Sequence, residues 1–201
     1  MPPAATDDGD RAPASACAAL DALYTQIAQR VGAATAARGA WPCAKGCDGC
    51  CRRLAALPHV TAAEWQRMAE GLALLPAAEQ AAIRQRIDVA ARGGAAPPHV
   101  VCPFLHDSSG ACSIYDHRPA ACRMYGFYVA RSGNQWCDIV QALDDNGELN
   151  GLILGNFDAM ARQLQRQFGP TRPINEWLAE SAESAHGAVP VKQAIVDEGL
   201  A

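Results

Sequence analysis

Apolar residues recur every three or four positions over several stretches of the chain, and that spacing predicts amphipathic helices. The first stretch carries Leu20, Leu23, Ile27 and Val31. Ser15 is placed to cap it, and Gly39 with Pro42 to end it, since proline cannot continue a helix. A second helix opens at Thr61-Ala-Ala-Glu64, a capping-box pattern, and sets Trp65, Met68, Leu72 and Leu75 on one face. Pro76 suits the first turn of a third, which carries Ile83 and Ile87 and stops at Gly93-Gly94. Ile153, Phe157, Met160 and Leu164 mark a longer helix from about residue 150 to Gly169-Pro170. A short helix is expected over 174–182, and Pro119 can start another that carries Cys122.

Strand signals are weak outside 112–115 and 126–131, and residues 93–101 read as a proline-rich connector. The predicted fold is mainly α: a small helical domain with two irregular Cys-rich loop segments converging on a metal centre. Residues 1–14, rich in Pro, Ala and Asp, are expected to be a disordered tail. Residues 15–185 form the single domain, with its motifs within about 40–140, and 186–201 a loosely packed C-terminal tail.

Composition narrows the function classes. Half of the 201 residues are hydrophobic, much of that being alanine, so close packing of helices through small residues is expected. The net charge of -4 leaves no basic excess for phosphates, which argues against nucleic acid as a partner. The first residues lack the basic and apolar regions of a secretory signal, and no apolar run is long enough to span a bilayer. A cytoplasmic location without membrane contact is therefore expected. In a reducing compartment the nine cysteines are expected to be ligands or redox groups rather than a disulfide framework.

Eight of those cysteines fall in two segments. Cys43, Cys47, Cys50 and Cys51 lie within nine residues, and Gly46 and Gly49 let the backbone wrap closely around sulfur. Soft thiolates at this spacing suit zinc or an iron–sulfur cluster. The second segment holds Cys102-Pro-Phe-Leu, Cys112-Ser-Ile-Tyr and Arg118-Pro-Ala-Ala-Cys122-Arg, with Cys137 beyond. Cys17 stands apart on the first helix and reads as a core residue. His59, His99, His106 and His117 read as non-ligands, and Tyr115, Tyr125, Phe127 and Tyr128 as core.

These elements together resemble the YkgJ-type cysteine-cluster family, described as a zinc- or iron-chelating domain. The matching residues are Cys43, Cys47, Cys50 and Cys51, then Cys102 to Leu105, Cys112 to Tyr115, and Arg118-Pro119 with Cys122-Arg123. Three residues rather than two separate Cys43 from Cys47, a departure from the family pattern. The resemblance implies metal binding and leaves any reaction open.

Adjacent cysteines on an extended backbone point to opposite sides. Cys50 and Cys51 therefore fit either two neighbouring four-Cys centres or one centre with a spare thiol. Arg52, Arg53, Arg118 and Arg123 are placed to offset thiolate charge. The expected function is a metal-binding protein holding an iron–sulfur cluster or zinc, with a weak lean to iron–sulfur because the irregular spacing matches no common zinc module. One alternative is an iron–sulfur-dependent enzyme of protein modification, since related domains occur in lysine methylases. Another is a structural zinc module that presents a surface to a protein partner. Thiol exchange through Cys50-Cys51 ranks lower, because adjacent cysteines close only a strained disulfide.

Overall fold

The computed structural model describes residues 12–92, 99–133 and 136–187. Along the chain they form α1 (Ala12–Arg38), β1 (His59–Val60), α2 (Ala62–Ala73), α3 (Ala77–Arg92), α4 (Ala120–Met124), β2 (Tyr128–Val129), α5 (Asp138–Asp145), β3 (Gly155–Asn156), α6 (Phe157–Phe168), β4 (Arg172–Pro173) and α7 (Ile174–Gly187). The protein is mainly helical, as its hydrophobic periodicity predicts. Among the described residues no helix is long and apolar enough to cross a membrane. The expected stop at Gly93-Gly94, most of the proline-rich connector and nearly all of both terminal tails lie outside the described residues.

The long first helix buries the stripe its spacing implies: Leu20, Leu23 and Ile27 are each 1% exposed. It begins at Ala12, so Ser15 lies within its first turn rather than before it. Gly39 ends it at φ +86°, a backbone geometry that favours glycine, and bonds back to Thr35 O at 2.9 Å. The Thr61 capping box forms as expected: its side chain accepts from Glu64 N, and the Glu64 carboxylate accepts from Thr61 N. Trp65, Met68 and Leu72 are buried behind it.

Two hydrophobic clusters result. In one, Leu20, Leu23, Tyr24 and Ile27 of α1 meet Met124, Phe127, Tyr128 and Leu164. In the other, Trp65, Met68 and Leu72 of α2 meet Ile83, Ile87, Phe104, Leu105, Ile114, Ile174 and Leu178. The second is closed by the C-terminal part of the chain. β4 pairs antiparallel with β1, and Ile174 N donates to Pro58 O at 3.0 Å. β2 and β3 pair in parallel, and the Tyr128 ring lies where a Cβ on Gly155 would fall, 2.3 Å away.

The C-terminal half departs from its pattern. α6 starts at Phe157, not near residue 150, because the Asn156 side chain caps it by accepting from Ala159 N at 2.9 Å. Gly147 and Gly151, both at positive φ, turn the chain before it, and Ile153 is 74% exposed rather than on the buried face. α7 runs on to Gly187, past the expected end at 182. α5 was not legible as a helix in the sequence. It is short and buries only Val140.

Candidate metal centre

The first cysteine loop is folded by its own backbone. Cys47 N donates to Ala44 O at 3.0 Å, and Arg52 N to Asp48 O at 3.0 Å. Gly46 takes φ +96° between them. The loop then meets the second segment directly: Cys102 N donates to Cys51 O at 2.7 Å, and Leu54 and Val100 exchange backbone hydrogen bonds. This pairing sets Cys51 beside Cys102.

A tight reversal follows. Leu105 and Cys112 face each other across a bridge, and Ser113 N donates to Phe104 O at 2.8 Å. The turn rests on the first loop. A Cβ on Gly110 would stand 2.7 Å from Gly46 O. Cys122 comes next, on α4, whose first N–H, on Ala120, is held by the buried Glu64 carboxylate at 2.8 Å. Cys137 stands at the N-cap position of α5, and its Cβ is 3.4 Å from where a Gly49 Cβ would be. Gly49 thus leaves room for a remote cysteine.

Both segments line two cavities. Cys43, Cys47, Cys50, Cys122 and Cys137 line one of about 170 Å³. Cys47, Cys50, Cys51, Cys102, Cys112 and Cys122 line another of about 490 Å³, whose remaining wall is largely apolar and includes Leu54, Met68, Phe104 and Ile114. All eight candidate thiols therefore face one cavity or both, whereas Cys17 faces neither. No histidine lines either cavity. His106 is exposed and shares its Nδ1 with Ser108 and Ser109, and His117 packs on Gly71.

Cys50 and Cys51 do not splay apart as an extended backbone would require. Their sulfurs are 4.0 Å apart, because residues 50–52 form a turn. Among the described residues, no three Cys, His, Asp or Glu side chains form a closed metal-binding group. The thiols ring the cavities rather than meeting at a point.

Five of the thiols are made harder to ionise by their surroundings. Burial and the nearby Cys47 and Cys137 push Cys43 up to about 12. Contact with Cys102, then burial, pushes Cys51 up to about 12. Burial does the same for Cys122, to about 12, and raises Cys112. Cys50 is raised by its contact with Cys51 and by burial. Thiols this hard to ionise lose their protons when a cation takes the proton's place.

The arginines divide. Arg52 is exposed and pairs with Asp48 at 2.6 Å, an ordinary surface pair. Arg53 pairs with Asp138 of α5 and borders the larger cavity. Arg118 borders both cavities, donates to Tyr115 O at 2.8 Å and stacks 3.4 Å from the Tyr115 ring. Arg123 borders the smaller cavity and lies over the Tyr24 ring. Lys45, which no motif in the sequence singles out, lies 5.5 Å from the Tyr115 ring and favours the Cys112 thiolate. Tyr115, Tyr125 and Phe127 face the cavities, whereas Tyr128 lies in the α1 cluster against β3.

A family model described as "Putative zinc- or iron-chelating domain", CxxCxxCC, matches residues 42–142. The chain belongs to the CxxCxxCC family. No curated protein and no solved structure matches it. The matched span of this CxxCxxCC protein includes all eight candidate thiols, from Cys43 to Cys137.

The residues present fit a soft metal ion or an iron–sulfur cluster. The candidate donors are half-buried to buried thiols, soft ligands of the kind such centres use. Trp41 Nε1 is buried with no partner at strict hydrogen-bond geometry, yet its N–H favours the thiolate of the neighbouring Cys43. Gly126, at φ +80°, leaves the space beside Cys43 open: a Cβ there would lie 2.7 Å from the sulfur. In the CxxCxxCC protein these two residues thus shape the surroundings of the Cys43 sulfur.

Proposed function

We propose that this CxxCxxCC protein holds an iron–sulfur cluster through its clustered cysteine thiolates, in a reducing cytoplasm. The observation that carries this reading is the larger cavity, where thiols from both segments surround about 490 Å³. The irregular spacing of those cysteines matches no common zinc module, which favours a cluster over a zinc ion. The apolar remainder of the wall supports the same reading, since it keeps water from the sulfurs. Such a cluster would supply one-electron chemistry or a bound iron. The chain's own residues would hold it: the thiolates as ligands, Arg118 and Lys45 as counter-charges, and Tyr115 and Tyr125 as a screen from solvent.

The test is elemental analysis for iron, zinc and sulfide on anaerobically purified protein, read with its visible spectrum. Iron with acid-labile sulfide and broad visible absorption is the expected result. Colourless protein with stoichiometric zinc overturns the iron–sulfur assignment and directs attention to a protein partner.

A further inference from the structure

The family relationship covers residues 42–142 and leaves α1 outside it. Resting on the metal-binding reading above, we propose that Tyr24 of α1 is a positioning residue of the centre: its hydroxyl donates a hydrogen bond to a sulfur of the loaded site.

Tyr24 is 7% exposed, and its Oη is closed to solvent and has no hydrogen-bond partner. A buried phenol normally finds one, because otherwise the bonds it made to water are lost without replacement. The carboxyl group of Glu64, close enough to act on the Tyr24 phenol, is taken up by Thr61 and Ala120. What Tyr24 does share is a cavity with sulfur: it lines the smaller one together with Cys43, Cys47, Cys50, Cys122 and Cys137.

Packing fixes the ring there. Tyr24 belongs to the α1 cluster with Ala120 and Met124 of α4, the helix that carries Cys122. The Arg123 guanidinium covers the ring at 4.3 Å and is itself held by the carbonyls of Arg118 and Asp116. Burial pushes the phenol above its usual range, so it keeps its proton and remains a donor.

A protonated thiol is a weak acceptor, and a charged thiolate is a stronger one. Loading the site therefore creates the acceptor that Tyr24 lacks. The other buried side-chain polar atoms without a partner among the described residues are Trp41 Nε1 and Trp136 Nε1. Both are donors as well. Trp41 neighbours Cys43, and Trp136 directly precedes Cys137. The unpaired donors thus collect around the cysteine site. Hydrogen bonds of this kind orient ligand sulfurs and tune the metal they hold.

The test uses the full-length chain, reduced and anaerobic, and its Tyr24→Phe variant, which removes the hydroxyl and keeps the ring. Cobalt(II) is the probe, because its sulfur-to-metal absorption reports on the thiolates whichever metal the protein holds natively. An unpaired hydroxyl contributes nothing to the metal-free fold, so the metal-free variant should be at least as stable in urea as the unaltered chain. Cobalt should bind it about fivefold more weakly, the equivalent of one ordinary hydrogen bond. The sulfur-to-cobalt band should move to lower energy, because a hydrogen bond holds the sulfur electrons more tightly. Tyr128→Phe is the control: Tyr128 lines neither cysteine cavity, so affinity and band should stay as they are. A hydroxyl with a purely structural role would lower the stability of the metal-free and loaded chains alike and move neither cobalt reading. Unchanged affinity and band in Tyr24→Phe therefore overturn the proposal and leave metal binding intact. No thiolate-to-cobalt absorption in the unaltered chain overturns the metal-binding reading itself.

Discussion

The carboxylate of Glu64 accepts the backbone N–H of Ala120 at 2.8 Å, across 56 residues of sequence. Its other oxygen closes the capping box on Thr61. One buried side chain, 1% exposed, therefore caps α2 and fixes the start of the turn that carries Cys122. Its three donors keep the buried carboxyl group satisfied out of water.

Replacing Glu64 by alanine should strand the N–H groups of Thr61 and Ala120. Each buried unsatisfied donor costs roughly 1–3 kcal/mol. Glu64→Ala is expected to lower stability in urea denaturation by about the sum and to reduce bound metal through Cys122. Glu64→Gln, which keeps an acceptor for Ala120 N, should retain more of both. Equal metal content in Glu64→Ala and the unaltered chain would refute the link to Cys122.

Gly126→Ala should displace the Cys43 sulfur, because the new Cβ would stand 2.7 Å from it. The positive φ adds about 1–2 kcal/mol of backbone strain. Gly133, at φ +112° with nothing within 4 Å, is the control for strain alone. Metal content by mass spectrometry should fall in Gly126→Ala and hold in Gly133→Ala.

Cys50→Ser and Cys122→Ser should each reduce metal content and the stability of the loaded protein, since a hard hydroxyl replaces a soft thiolate. Cys17→Ser should leave metal content unchanged, because Cys17 borders neither cavity. Equal metal content in all three variants would remove the ligand assignment.

Metal binding should release protons. Cys43, Cys51 and Cys122 titrate near 12, so at neutral pH they enter binding protonated and leave it as thiolates. Affinity for added zinc should therefore fall as pH falls. Calorimetry in buffers of different ionisation enthalpy should count several protons released per metal. For the metal-free chain the sign is the opposite: burial penalises the thiolates, so the fold loses stability as pH rises from about 9 towards 12 and keeps it below that range. A thermal denaturation series across that range reads it directly.

Much of the helical framework is local information. The stripe Leu20, Leu23, Ile27 and the box from Thr61 to Glu64 each lie within a few turns, so a spacing of three and four residues is enough to reveal them. The candidate donor set is likewise written in the chain, since sulfur at such density points to a soft metal. Where signals were short or shared, the sequence fell silent. α5 buries a single side chain, and Ile153 continues the periodic stripe yet stands in the turn that the Asn156 cap cuts off.

The sequence by itself determined the helices α1 to α3, the cap on α2 and the identity of the eight thiols, because each rests on neighbours along the chain. The tertiary structure alone decided which thiol faces which cavity, that Arg118 and Lys45 rather than Arg52 attend them, and that Glu64 holds Ala120. Those relations join residues tens of positions apart. They exist only once two hydrophobic clusters have closed on either side of the cysteine loops, and no periodicity along the chain encodes which distant partners that closure brings together.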